Sequence, residues 1–307
     1  MQFMGLKRRL VANAAARDLG RRFPAPVRRL AGRLAGDAVR PAGGRRAGRL
    51  ILMYHRVAIA DSDPLELCVA PQRFAEQLEL LRSVGRIVPL REITRARSNG
   101  PTVAITFDDG YADNALAAAP LLEAHDAPAT VFVVAGAVGS GRAFWWDRLA
   151  ALVGLEQYWP LWDRLRVLPA ERIEEELQAL GPEPETDGRP LDEDELAALA
   201  AGPVEIGAHT LTHPSLPALP AEERRREIAG SRKRLEELVG RPLDAFAYPY
   251  GDYDSATVRL VKRSGFRTAC TIHENRLSRL SSSFLLPRYP VRDWPADELE
   301  RRLATWL

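Results

Sequence analysis

Two short motifs in this chain of 307 residues combine side chains that bind metals with side chains that move protons. Asp108 and Asp109 follow an apolar run and stand directly before Gly110. His209 and His213 lie later in the chain, with three residues between them. One carboxylate and two imidazoles can hold a divalent cation, which leaves the other carboxylate free for acid–base chemistry. The residue types therefore indicate a metal-assisted hydrolytic centre.

Both motifs follow predicted strands, and this shared position makes them more specific than either is alone. The apolar run 102–107 ends at Asp108, and the apolar run 204–208 ends at His209. An isolated Asp-Asp-Gly is commonly a polar turn, and two histidines four positions apart often lie on a helix surface. In α/β barrels, however, catalytic side chains collect at the carboxyl ends of the strands. We therefore expect the two motifs to meet in one site.

From about residue 50 onward the hydrophobic pattern alternates between strands and helices. This alternation predicts a parallel sheet, and about seven strands favour closure into a (β/α) barrel. The predicted strands are 50–54, 87–88, 102–107, 129–134, 204–208, 245–248, 266–271 and 285–291. The predicted helices include 112–125, 221–239 and 296–307.

The pattern divides the chain into an N-terminal extension, residues 1–48, and a barrel, residues 49–307. Residues 1–50 carry 13 Lys and Arg against two Asp, whereas the remainder carries 30 basic and 39 acidic side chains. Two short amphipathic helices on an anionic membrane surface would explain the basic extension. A loosely ordered, solubilising extension is the alternative. Nucleic acid is not expected as a partner, because aromatic residues for base stacking are not interleaved with the arginines.

Residues 137–202, the helical insertion, interrupt the alternation of strands and helices. This segment reads as helical and contains four of the six tryptophans, namely Trp145, Trp146, Trp159 and Trp162. Aromatic residues at helical spacing usually pack in a core. Packing against the barrel is therefore the preferred interpretation for Trp159 and Trp162. For Trp145 and Trp146 both packing and ligand binding stay open.

Three sequence stretches together resemble the polysaccharide deacetylase family, which is also called the NodB homology domain. They are Thr-Phe-Asp-Asp-Gly at 106–110, His-Thr-Leu-Thr-His at 209–213 and Phe-Ala-Tyr-Pro-Tyr-Gly at 246–251. The motif order matches the family over roughly residues 50–294. The resemblance implies a distorted (β/α) barrel that removes acetyl groups from N-acetylated sugars of a glycan or glycan precursor.

The resemblance also implies roles for individual residues. It makes Asp108 the general base, and it makes Asp109, His209 and His213 the metal ligands. The backbone N–H of Tyr250 would face the developing oxyanion. Trp145, Trp146 and Tyr248 are predicted to contact the substrate. Such a ligand set favours Zn²⁺, with Co²⁺, Ni²⁺ and Fe²⁺ as alternatives.

The general acid and the residue that orients the base depart from the usual family pattern. Leu-Met-Tyr-His at 52–55 resembles the circularly permuted branch that contains poly-N-acetylglucosamine deacetylases, so His55 is the predicted acid and His273 is the second candidate. The arginine that begins the third family motif is replaced by Ala247. Arg288 is predicted to orient Asp108 in its place, and an ordinary surface ion pair is the alternative for Arg288.

Other functions stay open at this point. An O-acetyl esterase, another amide hydrolase, a catalytically silent carbohydrate-binding relative and a scaffold that acts through the basic extension would each keep parts of the pattern. The sequence has two cysteines and no apolar run typical of a secretory signal. We therefore expect a cytoplasmic protein that contributes to surface polysaccharide synthesis, with a peripheral position at the cytoplasmic face of the membrane as the alternative.

Overall fold

The computed structural model describes residues 48–96, 100–278 and 280–307. Almost all of the predicted basic extension, and with it the predicted membrane contact, lies outside the described residues. None of the helices in the described ranges has both the length and the hydropathy that a bilayer-spanning segment needs.

The framework is a parallel sheet of eight strands. The strands in the described ranges are β1 (Arg49–Tyr54), β2 (Arg56–Val57), β3 (Cys68–Val69), β4 (Arg86–Ile87), β5 (Thr102–Phe107), β6 (Ala129–Val133), β7 (Val204–Ala208), β8 (Ala245–Ala247), β9 (Thr268–Cys270) and β10 (Tyr289–Pro290). The order across the sheet is β10-β1-β5-β6-β7-β8-β9, and β4 also pairs with β5. Strands β2 and β3 form a separate pair. The predicted (β/α) barrel of about seven parallel strands is confirmed.

The segment that leads into β10 connects the two ends of this strand order. The Leu286 N–H donates to the Ala269 carbonyl, and the Thr271 N–H donates to the Leu286 carbonyl, each at 2.9 Å. A few residues later, Pro290 pairs with Met53 of β1. The predicted strand 285–291 therefore pairs with β9 at its start and with β1 at its end.

Helices connect the strands and cover the outside of the barrel. They are α1 (Pro71–Val84), α2 (Leu90–Ile93), a π-helix (Asn114–Ala118), α3 (Ala119–Ala124), α4 (Trp145–Leu152), α5 (Leu155–Leu165), α6 (Ala170–Leu180), α7 (Glu193–Ala201), α8 (Ala221–Val239), α9 (Ser255–Arg263) and α10 (Ala296–Trp306). Local chemistry explains several ends. Helix α8 stops at Gly240, which has a left-handed φ of 70°, and α7 starts with a capping box between Asp192 and Glu195.

Strict alternation along β5 decides which side chains reach the barrel interior. Val103, Ile105 and Phe107 pack in the outer core beneath the helices, whereas Ala104 packs in the inner core. Side chains in a strand point to opposite faces with a period of two. Continuing that period past the strand end directs Asp108 into the interior of the barrel.

Helices α4–α7 lie in the chain between β6 and β7. The first three of them, α4–α6, share a buried and largely aromatic cluster that includes Trp146 and Tyr158 and also contains Tyr111 and Val134 from the barrel, whereas α7 packs in the outer core. The helical insertion therefore packs directly on the strand ends that follow β5 and β6.

Candidate active site

The loops that carry the motifs adopt backbone conformations that non-glycine residues rarely accept. Asp109 has φ 72°, Thr210 has φ 66°, His213 has φ 62° and Tyr250 has φ 57°. Such left-handed residues cost about 1–3 kcal/mol each and persist where the surrounding structure determines them. All four residues belong to the three motifs, which indicates that the surrounding structure holds the motif side chains in place despite this strain.

Asp109, His209 and His213 bring one potential ligand atom each to within 4.8 Å of one another, and all three are buried. Oδ1 of Asp109 lies 3.6 Å from Nε2 of His209 and 3.4 Å from Nε2 of His213. The two Nε2 atoms are 3.2 Å apart. The structure therefore brings together the three predicted metal ligands, which are otherwise distant in sequence.

The protonation preferences of these residues fit a cation. Nδ1 of His209 donates to the Ala247 carbonyl at 2.9 Å, which leaves Nε2 unprotonated toward the other two ligands. Burial lowers the pKa of His209. Burial and the neighbouring His209 hold the pKa of His213 well below its usual value, so both imidazoles are neutral. Burial, Asp108 and Asp147 raise the pKa of Asp109, so a positive charge at this point would favour its ionised form.

Asp108 has a different partner from its neighbour. Nη1 and Nη2 of Arg288 each donate to one carboxylate oxygen of Asp108 at 2.6 Å. Arg288 is completely buried, and it also donates to the Thr271 carbonyl and the Thr106 hydroxyl. Burial alone would raise the pKa of Asp108, but the charge and hydrogen bonds of Arg288 outweigh it and lower this pKa to about 2. Arg288 thus makes the contact with Asp108 that the sequence suggested.

His55 stands beside Asp108 at the ends of two paired strands, because Tyr54 of β1 pairs with Phe107 of β5. The His55 carbonyl accepts a hydrogen bond of 2.8 Å from Asn114 in the π-helix. Burial lowers the pKa of His55 to about 4, although the nearby Asp108 carboxylate opposes this shift. The other candidate acid, His273, is exposed, and its ring packs at 5.9 Å from that of Tyr253.

Tyr250 and Tyr248 belong to the same motif but occupy different environments. The ring of Tyr250 packs edge-on against His213 with the centroids 4.6 Å apart. Tyr248 is fully buried in the outer core, and its hydroxyl donates to the Phe284 carbonyl at 3.1 Å. The prediction that Tyr248 contacts substrate is therefore corrected. The alternation of β8 sends this side chain away from the barrel interior.

The adjacent tryptophans form the wall of the helical insertion that faces the metal ligands. The ring of Trp146 lies 4.7 Å from that of His213, and its Nε1–H donates to the Tyr111 hydroxyl at 2.6 Å. Trp146 is 3% exposed and Trp145 is 8% exposed. Both residues thus pack the insertion onto the site, and their contact with substrate stays a prediction.

Sequence reasoning did not single out two further groups near the site. Asp147 accepts a hydrogen bond of 2.9 Å from the Tyr111 hydroxyl, and burial raises its pKa to about 7. Asp252 binds both Ser215 and Arg166. Ser215 and Asp252 each stand two residues beyond a motif residue, which is a weak signal. Nothing in the sequence marks Arg166, because its partner is distant along the chain.

The chain resembles known proteins in both sequence and fold. The family model described as polysaccharide deacetylase matches residues 95–269. YxkH of Bacillus subtilis (strain 168), named as a candidate polysaccharide deacetylase, is 22% identical over 247 residues, covering 78% of this chain and 70% of YxkH. IcaB from Ammonifex degensii has a TM-score of 0.61 at 23% identity, covering 85% of this chain and 97% of IcaB. The Streptococcus pyogenes deacetylase PplD, solved with acetate, has a TM-score of 0.58 at 23% identity, covering 85% of this chain and 99% of PplD.

Proposed function

Because this chain belongs to the polysaccharide deacetylase family, a family of amide-bond hydrolases, we propose that it removes acetyl groups from the N-acetylated sugars of a glycan or glycan precursor with the help of one divalent metal. The observation that carries the proposal is the convergence of Asp109, His209 and His213 within 4.8 Å. The Asp108–Arg288 pair lies directly beside this cluster, since Asp108 and Asp109 are consecutive.

The ligand set favours zinc over the alternatives. Two neutral imidazoles and one carboxylate are a common catalytic zinc set, and they leave a coordination position for water or substrate. Held by these residues, the metal would lower the pKa of the attacking water and polarise the acyl oxygen. Cobalt, nickel and iron accept the same donors, so metal analysis must decide among them.

Asp108 is proposed to take a proton from the attacking water. Its pKa of about 2 keeps it ionised at neutral pH, so a free lone pair is available at every turnover. Arg288 fixes both of its oxygens, which limits the carboxylate to one orientation. Because the base is already held in place, less entropy is lost on reaching the transition state, and the reaction is faster. The low pKa nevertheless makes Asp108 a weak base.

Two further residues complete the proposed reaction, in which water and an amide give acetate and an amine. The backbone N–H of Tyr250 would donate to the oxyanion that forms when water adds to the acyl carbon. Loss of one such donor costs roughly 3–4 kcal/mol in other hydrolases. His55 would protonate the departing amine. Since its pKa is about 4, His55 is neutral at pH 7, so the proton that it gives to the amine would be the one that Asp108 has taken from the attacking water.

Acetate is the carboxylate that this reaction releases, and the structurally similar deacetylase PplD was solved in complex with acetate.

We also propose that the glycan belongs to surface polysaccharide synthesis and that the protein acts in the cytoplasm. Cell fractionation tests the second point: the protein should appear in the cytoplasmic or inner-membrane fraction, and recovery from the medium would contradict it.

The deciding experiment measures acetate release from matched N-acetylated and O-acetylated oligosaccharides, with and without a chelator. We expect release from the N-acetylated series, loss of release with the chelator and recovery when zinc is restored. Release from the O-acetylated series alone would make the protein an esterase. Release that the chelator leaves unchanged would remove the metal from the proposal.

A further inference from the structure

One oxygen of Asp252 joins the helical insertion to both loops of the site. Ser215 donates its hydroxyl to Oδ2 of Asp252 at 2.7 Å, and Nη1 of Arg166 donates to the same oxygen at 3.2 Å. Ser215 stands two residues after His213, and Asp252 stands two residues after Tyr250. Arg166 caps the C-terminal end of α5 in the insertion. The three segments that surround the metal ligands therefore meet at a single carboxylate.

Arg166 also contacts the aromatic rings next to this carboxylate. Its guanidinium lies 5.3 Å from the ring centroid of Trp162 and 5.7 Å from that of Tyr250. Such cation–π contacts contribute about 0.5–2 kcal/mol, depending on desolvation. Arg166 thus holds the Tyr250 loop in two ways, through the ring of Tyr250 and through Asp252.

Tyr250 needs external support, because its backbone adopts φ 57° and ψ 4°. A tyrosine in this left-handed region is strained by roughly 1–3 kcal/mol. Without contacts on both sides, the residue would relax toward a common conformation and turn its N–H away. Contacts with His213 on one side and Arg166 on the other supply that support.

The ion pair itself is poorly suited to a purely stabilising role. The side chains of Arg166 and Asp252 are 29% and 35% exposed. Pairs that water reaches in this way contribute about 0–1 kcal/mol to folding stability. The ion pair should therefore matter more for the position of the Tyr250 loop than for the free energy of unfolding.

We propose that Arg166 and Asp252 are positioning residues, through which the helical insertion sets the direction of the Tyr250 backbone N–H relative to His213. The inference rests on the proposed function, because it assigns a reason for the conformation of the same site. According to this proposal, the helical insertion positions a hydrogen-bond donor of the active site in addition to packing on the site.

The test compares Arg166→Met and Asp252→Asn with a matched control in the same helix. Arg164 of α5 forms an exposed pair with Glu176, so Arg164→Met removes a similar charge without touching the site. We expect kcat to fall about 10- to 100-fold in the two test variants, a smaller effect than complete loss of an oxyanion donor. The KM, the zinc content and the unfolding temperature should stay near wild type. Arg166→Lys should recover part of kcat, and Arg164→Met should keep all of it.

Unchanged kcat in both test variants would overturn the inference. So would a loss of kcat that is matched by loss of zinc or by a lower unfolding temperature, because the residues would then be structural. Crystal structures of wild type and Arg166→Met test the placement without any activity. In the variant, the backbone of Tyr250 should no longer adopt φ near 57°. An unchanged φ at Tyr250 would contradict the inference. Absence of acetate release from wild type would instead refute the proposed function.

Discussion

The barrel edge and the helical insertion meet at the same site, but they hold their residues by different forces. On the barrel side, Arg288 fixes Asp108 through two charged hydrogen bonds of 2.6 Å within a fully buried pair. On the insertion side, Trp146 stacks on Phe144 with the centroids 4.7 Å apart and faces His213 with its ring. Charged hydrogen bonds fix orientation and protonation, whereas aromatic packing fixes position. Changes on the barrel side should therefore damage the chemistry most.

The largest effect is expected from Asp108→Asn. The amide keeps the shape of the carboxylate but cannot accept the proton, so kcat should fall about 10³-fold. Zinc content should be unchanged, because Asp108 is not among the three converging ligands. Asp126→Asn is a suitable control, since that side chain is 90% exposed. Normal turnover in Asp108→Asn, measured by acetate release, would remove the general-base assignment.

Arg288→Met should reduce both activity and stability. It leaves the buried Asp108 carboxylate without its partner, and breaking such a pair costs roughly 3–5 kcal/mol in the free energy of unfolding. The double variant with Asp108→Asn should be less destabilised than Arg288→Met alone, because no unpaired charge stays buried. Urea unfolding of the three variants measures this difference. A double variant as unstable as the sum of the single variants would mean that the pair is not coupled.

Trp146→Phe tests the insertion side and should have a smaller effect. The change keeps an aromatic ring but removes the N–H that donates to Tyr111. Loss of one buried hydrogen bond costs about 1–3 kcal/mol. We expect kcat to fall less than tenfold, as measured on the same glycan. A decrease in kcat as large as that of Asp108→Asn would contradict the expectation that changes on the barrel side have the larger effect.

A further prediction concerns the pH dependence of folding stability and the His55 imidazole. Burial lowers its pKa from 6.5 to about 4, so the unfolded chain binds more protons than the folded chain between these values. The stability from neutral His55 is present above pH 6.5 and is lost as the pH falls toward 4. Urea unfolding of metal-free protein at pH 7 and pH 4.5 should show a smaller decrease for His55→Gln than for wild type. Equal decreases would show that His55 does not experience this burial.

The sequence predicted most of what lies on the barrel, because periodicity carries the information there. The runs before Asp108 and His209 are strands whose alternation directs the motif side chains inward, and the family resemblance is confirmed by the family model. Arg288 is predicted from two facts together, the replacement of the family's arginine by Ala247 and the position of Arg288 beside a strand. The alternation of β8 places Tyr248 in the outer core, which corrects the prediction made from its position in the motif.

The contacts of the insertion could not be predicted in the same way. Hydrophobic periodicity indicates that α4 and α5 are helices, but it does not tell which barrel residues they touch. The link from Arg166 to Asp252 and the link from Asp147 to Tyr111 both join residues that are far apart in the chain. They depend on the packing angle of the helices on the barrel, which emerges only when the complete fold is formed.

We propose that one divalent cation is held by Asp109, His209 and His213 beside an ionised Asp108. Anomalous X-ray scattering from crystals of the zinc-loaded protein tests it most directly. We expect a single strong anomalous peak within bonding distance of the three side chains. A zinc peak elsewhere, or no peak between these residues in fully loaded crystals, would contradict it.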